Sequence, residues 1–489
     1  MIKKIIFFPL IVALSVVFLV PGMPVRGYSA EQQINLEELW RKTITEYLNK
    51  IDVKNSVSLY AAQPDLMVPA WASFRLNKRD WQHQFTVKFS EILGHATPIS
   101  KLKEMDSQNF IQLDPKLMDA ARNGKGTRLI FPFEKGAREK TQAKKGQVFE
   151  EVLSQFQFSY LLAYHSRKLV ETGAKDPDTL NYLQKVVPFL KSDIVRAYWL
   201  EIPAWHWAVK KLPYPNIKER LKAKLCEPLQ PELRGKKYFR LIMDEDLFIM
   251  AIAAELKCIS LIDGGKYFDR NDVLLMDEIQ DYCLKTMNAR LSKGKGFLFD
   301  VGARDDRPDF AYAGYTGSVL PTGKKRPAKM TVSDVSHAQR WPWWLTSFRD
   351  SWPKDSDNYK KFDRMIDRLA VQFGEYVVSW QPNGYPLLNN FLDGRNGWYR
   401  VGYQKRKNFG YGPYELSHIA MRGNWGILAE RNTDVRRFNI KISELLLADG
   451  PEVKKFRETY YLKREDQKDF AVLIAILTAK ALPDRPGQQ

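Results

Sequence analysis

A chain of 489 residues that is 44% hydrophobic can bury a large core, and with only three cysteines it is not a small disulfide-stapled module. Its formal charge of +19 suits a polyanionic partner. In an exported protein that partner is an acidic polysaccharide or an anionic envelope surface rather than nucleic acid, although the same excess would also serve solubility alone.

Met1, Ile2, Lys3 and Lys4 precede an apolar run from Ile5 to Val20, followed by Pro21, Gly22 and a small-residue patch ending at Tyr28, Ser29 and Ala30. This is the order of a secretory signal. An uncleaved anchor is the competing reading, but the run is short for a bilayer span and helix breakers follow it. Residues 1–30 are therefore expected to be a signal peptide and the mature protein to be periplasmic or secreted. Cleavage would remove Lys3, Lys4 and Arg26 and leave +16. No later segment reads as a transmembrane span.

Residues 31–146 are less regular, with a helix predicted over Leu36 to Ile51; they form either a small N-terminal subdomain or the first hairpins of one larger array. From residue 147 helical periodicity dominates. Phe149, Val152, Leu153, Phe156, Tyr160 and Leu161 repeat at three and four, and similar stripes run through Leu180–Trp199, Leu247–Ile262, Val273–Leu291, Phe362–Val378, Ile419–Glu430 and Phe470–Leu482. Gly173, Gly264 with Gly265, and Pro382 with Gly384 follow these stripes as helix terminators do. The expected fold is all-α or mainly α, an (α/α) toroid of helical hairpins over residues 147–489. Cys226, Cys258 and Cys283 sit among apolar helical neighbours, which predicts buried thiols and at most one disulfide.

Two long Gly-, Asp-, Tyr- and Arg-rich insertions, 292–331 and 381–413, interrupt the helices, and loops of that length usually carry function. A faint repeat follows them. Asp334, Val335, Ser336 and His337 with Arg340 and Trp341 parallel Glu415, Leu416, Ser417 and His418 with Arg422 and Trp425. In each copy an acid or Ser can cap a helix start and a His follows at the same end of the bundle.

A His at a helix mouth with a carboxylate three residues before it can be an oriented general base. Such a group suits proton abstraction beside a carboxylate, as at C5 of a uronate, provided the carboxylate charge is neutralised and a Tyr protonates the leaving oxygen. The candidates are His337 or His418 as base, with Asp334 orienting His337. Arg340 or Arg400 and Asn389 or Asn390 could neutralise, and Tyr312, Tyr315, Tyr399 or Tyr411 could donate. Asp305, Asp306 and Asp309 opposed by Glu415 would instead supply the carboxyl pair of a glycosidase. Trp341, Trp343, Trp344, Trp352, Trp398 and Trp425 are core residues or, where exposed, faces for sugar rings. No HExxH, CxxC, GxSxG or phosphate-binding Gly loop is present, so no metal or cofactor is expected.

The run GFLFDVGARDDRPDFAYAGYTG, the following DVSHAQRW and the later GYGPYELSHIAMRGNW resemble segments of exported (α/α) toroid proteins that act on carbohydrates, the six-hairpin group of polysaccharide lyases and several glycosidases. The resemblance spans about Gly296 to Glu430. It departs from the alginate-lyase type, because Asn389 and Asn390 are followed by Phe391 rather than His. The resemblance implies cleavage of an acidic polysaccharide by β-elimination. A glycoside hydrolase and a non-catalytic glycan-binding protein are the alternatives.

Overall fold

The computed structural model describes residues 35–102, 127–134, 148–206, 209–228, 231, 239–302, 308–327, 333–402, 409–462 and 467–482. The expected signal peptide and the candidate residues Asp305 and Asp306 lie outside them. The described chain is mainly helical, with a few short antiparallel strand pairs. The helices used below are α1 (Ser56–Arg75), α2 (Arg79–Leu93), α3 (Val152–Glu171), α4 (Pro177–Pro188), α5 (Asp244–Ile262), α6 (Arg270–Arg290), α7 (Trp341–Asp350), α8 (Asp357–Val371), α9 (Thr433–Leu447) and α10 (Lys468–Ala481).

Their boundaries follow from capping chemistry. Asn55, Asp176, Asp269, Ser356 and Asn432 each accept a backbone N–H in the first turn of the helix they precede. The left-handed Gly173 and Gly264 stand just past the ends of α3 and α5, where a side chain would be strained. The stripe predicted over Ile419–Glu430 is not one α-helix. Two 3₁₀ turns, Glu415–Arg422 and Gly426–Glu430, replace it. Gly423 breaks them apart at φ +68°, and a Cβ there would stand 2.5 Å from Ile474 of α10.

Packing runs α1 on α3, α3 on α5 and α5 on α7, while α2, α4, α6 and α8 cover them and α10 returns against α1 and α9. Residues from Trp40 to Leu93 belong to the same apolar cluster as α3 to α10, so this part of the N-terminal region shares the main core. Burial of Trp341, Trp343, Trp344, Leu345 and Phe348 seats α7. Each such side chain contributes about 2 kcal/mol on leaving water. Trp398 and Trp425 are buried as well, so these tryptophans pack the interior and present no face to a sugar. All three cysteines are free thiols; Cys258 and Cys283 are buried and Cys226 is half-buried.

Two buried arginines brace the helices. Arg167 of α3 pairs with Glu171 at 2.6 Å, Asp350 of α7 at 2.5 Å and Glu255 of α5 at 3.4 Å. Arg340, which caps α7, pairs with Asp244 at the start of α5 at 2.5 Å and donates to Tyr60 Oη of α1 at 2.8 Å and Gln157 Oε1 of α3 at 3.0 Å. Gln157 in turn donates to the Tyr60 carbonyl at 2.8 Å. That carbonyl has no helical partner because residue 64 is proline, and the glutamine satisfies it.

The two long insertions knit together. Trp398 N donates to Tyr315 O at 3.1 Å and Arg400 N to Asp309 O at 2.9 Å, and the second insertion also bonds the segment that follows the first, Leu392 N to Ser333 O at 3.0 Å and Val335 N to Asn390 O at 2.9 Å. Gly397 passes so close that a Cβ would stand 1.9 Å from Ala313 O. We expect Gly397→Ala to destabilise the protein by about 2 kcal/mol or more, since backbone must move. Gly323→Ala, where a Cβ meets nothing within 4 Å, should shift stability by less than about 0.5 kcal/mol. Urea unfolding of both variants checks the difference.

Candidate functional site

Asp334 is the N-cap of the short helix Val335–Ala338, and its Oδ1 accepts from Ser336 N at 3.1 Å and His337 N at 3.2 Å. The same oxygen also accepts from Ser336 Oγ. Its other oxygen lies 2.7 Å from His337 Nδ1. A carboxylate only accepts, so the proton sits on Nδ1, and in the neutral ring the lone pair is left on Nε2. No described residue bonds Nε2, and the His337 side chain keeps 22% of its surface exposed.

Burial alone would raise the Asp334 pKa. The charge and hydrogen bond of His337, with Arg400 and Ser336 Oγ, outweigh it and hold the carboxyl well below the usual carboxylate range. Burial likewise opposes the charge on Arg400, but Tyr399, Asp309 and Asp334 keep its guanidinium charged. Arg400 Nε donates to Asp309 Oδ2 at 3.0 Å, and its guanidinium lies 5.0 Å from the Tyr399 ring centre. Arg400 holds φ at +55° although it is not glycine. Left-handed backbone of that kind concentrates at functional sites.

Tyr399 and Tyr411 face each other across an antiparallel bridge, N to O at 2.9 and 2.8 Å, so both side chains leave the same face. Ring centres then run in a row: His337 to Tyr399 at 6.5 Å, Tyr399 to Tyr411 at 6.1 Å, and Tyr411 to His418 at 6.3 Å with 17° between the last two planes. His418 Nδ1 donates to Glu415 O at 2.7 Å. The two histidines, 81 positions apart in sequence, thus end one aromatic row and carry the same tautomer. Tyr399 is 1% exposed, whereas Tyr411 is half-buried.

Other predicted residues fall elsewhere. Arg340, expected to neutralise a substrate carboxylate, is 4% exposed and committed to Asp244, Tyr60 and Gln157, so its role is to brace helices. The Tyr312 hydroxyl reaches the Gly323 carbonyl of its own loop at 3.3 Å, and Tyr315 serves through its backbone as the acceptor for Trp398. Asn390 is fully buried; its amide donates to Gly397 O and Gly412 O and accepts from Leu416 N, which makes it the pin of the second loop. Asn389 donates to Tyr376 O. Glu415 Oε2 accepts from Gly412 N at 2.8 Å, so the acid of the second copy holds backbone where Asp334 holds an imidazole. Arg422 pairs with Asp65 at 2.7 Å.

Among the described residues no three His, Cys, Asp or Glu side chains gather to hold a metal ion, and no helix is long and apolar enough to cross a membrane. The interior partners of Arg340, namely Tyr60, Gln157 and Asp244, were not singled out in the sequence. The proline at position 64, which leaves a carbonyl open inside α1, is the one linear hint to that junction. No protein-family model, curated protein or solved structure matches the chain.

Asp334→Asn should keep the helix cap and lose the charged acceptor that His337 Nδ1 bonds. Because the Asp334 pKa is depressed in the fold, its stabilisation is present above the unfolded carboxylate pKa of about 4 and is lost as pH falls through the lower folded value. Wild type should therefore exceed Asp334→Asn by about 3 kcal/mol near pH 6, with the gap shrinking toward about pH 3. Denaturant unfolding across that range measures it, and a gap independent of pH would contradict the pairing.

Proposed function

We propose that this chain cleaves a uronate-containing polysaccharide by β-elimination. The observation that carries the reading is the His337 imidazole, held at Nδ1 by buried Asp334, its Nε2 unbonded by any described residue, with a charged arginine next to its carboxylate. Arg400 offsets the negative charge of the sugar carboxylate, which makes the neighbouring C5 proton removable. His337 Nε2 takes that proton. The electron pair becomes the C4=C5 double bond as the C4–O bond breaks, and the leaving oxygen receives a proton from a tyrosine of the row, Tyr399 beside His337 or Tyr411 beyond it. His418 faces Tyr411 from the far side.

Hydrolysis by a carboxyl pair has less support. Asp309 is paired with Arg400, Asp334 with His337, and Glu415 with the Gly412 amide. Five of the six tryptophans named as sugar faces, Trp341, Trp343, Trp344, Trp398 and Trp425, are buried, and the half-buried Trp352 already carries the Lys257 ammonium 4.2 Å from its ring centre, which leaves purely stacking glycan recognition little support. We read the finer architecture as an (α/α) toroid, with α1, α3, α5 and α7 as inner helices and α2, α4, α6 and α8 as their outer partners; the packing order supports it. Export, from the signal-like first thirty residues, would place the protein where such polymers occur.

Incubation with uronate polymers should yield unsaturated ends that absorb in the ultraviolet. His337→Ala should lower that rate by roughly 100-fold or more, the usual weight of a general base. New reducing ends without unsaturation would contradict elimination.

A further inference from the structure

The loop after α6 forms an open depression of about 310 Å³ whose wall includes Lys293, Lys295, Gly296, Gln372, Tyr376 and Asp393. That volume is at the low end of the roughly 300 to 1,000 Å³ of small-ligand sites, room for one sugar ring rather than a chain. We propose that it is a secondary subsite for a carboxylated sugar ring of the same polymer, away from the bond that breaks; this rests on the elimination reading above.

Three observations support it. The backbone of the wall is held: Arg368 donates to Ser292 O and Gly296 O, each at 2.7 Å, and Gln372 packs directly over Gly296. Its chemistry suits an anionic sugar, because Lys293 and Lys295 are exposed without an ion-pair partner among the described residues. The one carboxylate in the wall, Asp393, is already bonded to Arg395, with Nε at 2.7 Å. Tyr376 is 45% exposed, an aromatic side chain open to a sugar's C–H face. It is also fixed from behind, since Asn389 Nδ2 bonds its carbonyl at 2.9 Å and left-handed Gly394 presses against its backbone.

The depression is also joined to the histidine. Gln372 Nε2 donates to Leu392 O at 2.8 Å, and Leu392 N donates to Ser333 O, the residue before Asp334. The wall residue Gln372 and the residue before Asp334 therefore bond the same loop residue, Leu392, from its two sides.

The test is calorimetric titration of the full chain with uronate dimers and hexamers at low salt. Replacing Lys293, Lys295 and Tyr376 together by Ala should weaken hexamer binding by about tenfold and leave dimer binding unchanged. Lys324→Ala with Lys325→Ala, an exposed basic pair outside the depression, should leave both unchanged. Undiminished hexamer binding by the triple variant, or an equal loss in the Lys324 and Lys325 control, overturns the subsite while leaving the elimination reading intact. Failure of the wild type to bind any uronate oligomer overturns both.

Discussion

The Arg340 guanidinium fixes the start of α7. It ties that helix to the N-terminal halves of α1, α3 and α5 through Tyr60, Gln157 and Asp244. A buried cation is tolerable only when its hydrogens are bonded and its charge is matched, and here both conditions need all four helices in register. Removing one partner would leave a desolvated charge, which costs about 3 to 5 kcal/mol, so the junction tolerates little sliding. The short helix bearing His337 ends at Ala338, two residues before Arg340, and its position follows from that of α7. Arg167 does the corresponding work between Glu255 and Asp350.

On this base the two insertions act as one body. Asn390 spends its amide on three backbone groups, and the Tyr399–Tyr411 bridge aligns side chains that neither loop could orient alone. Gly410 is the hinge of that bridge: at φ +69° its backbone passes where a Cβ would lie 2.6 Å from the carbonyls of Tyr399 and Arg400. Preorganisation of this kind lets a site hold charge in place without rearranging during a reaction. It also explains why the loops, though long, contribute buried residues such as Phe310, Phe391 and Leu392 to the core.

Much of the helical frame was legible in the residues, because α6 and α8 each bury one stripe, while α3 and α5, buried on most sides, keep a long apolar pattern that stops just before Gly173 and Gly264. Helix α1 was not. It is buried on most of its surface and carries Pro64 and Pro69, so it shows neither a polar face nor a clean period. The Asp334–His337 pair could be read from a three-residue spacing, since a capping acid and the third helical residue are neighbours by geometry. The division of labour between the arginines could not. Arg340 and Arg400 look alike in sequence, and only the partners brought by α1, α3 and α5 make one a brace and leave the other beside Asp334. Similarly, the repeated Ser-His motif places two imidazoles in one row, yet Glu415 turns to a backbone amide where Asp334 turns to a ring, a difference set by loop path rather than residue type.

The central claim is that the protein removes the C5 proton of a uronate. The most direct measurement follows a deuterium label at C5 of the polymer through cleavage. Elimination predicts that the label leaves for solvent in step with chain scission, with a primary isotope effect on kcat/KM. Cleaved chains that retain the label at C5 would contradict the account.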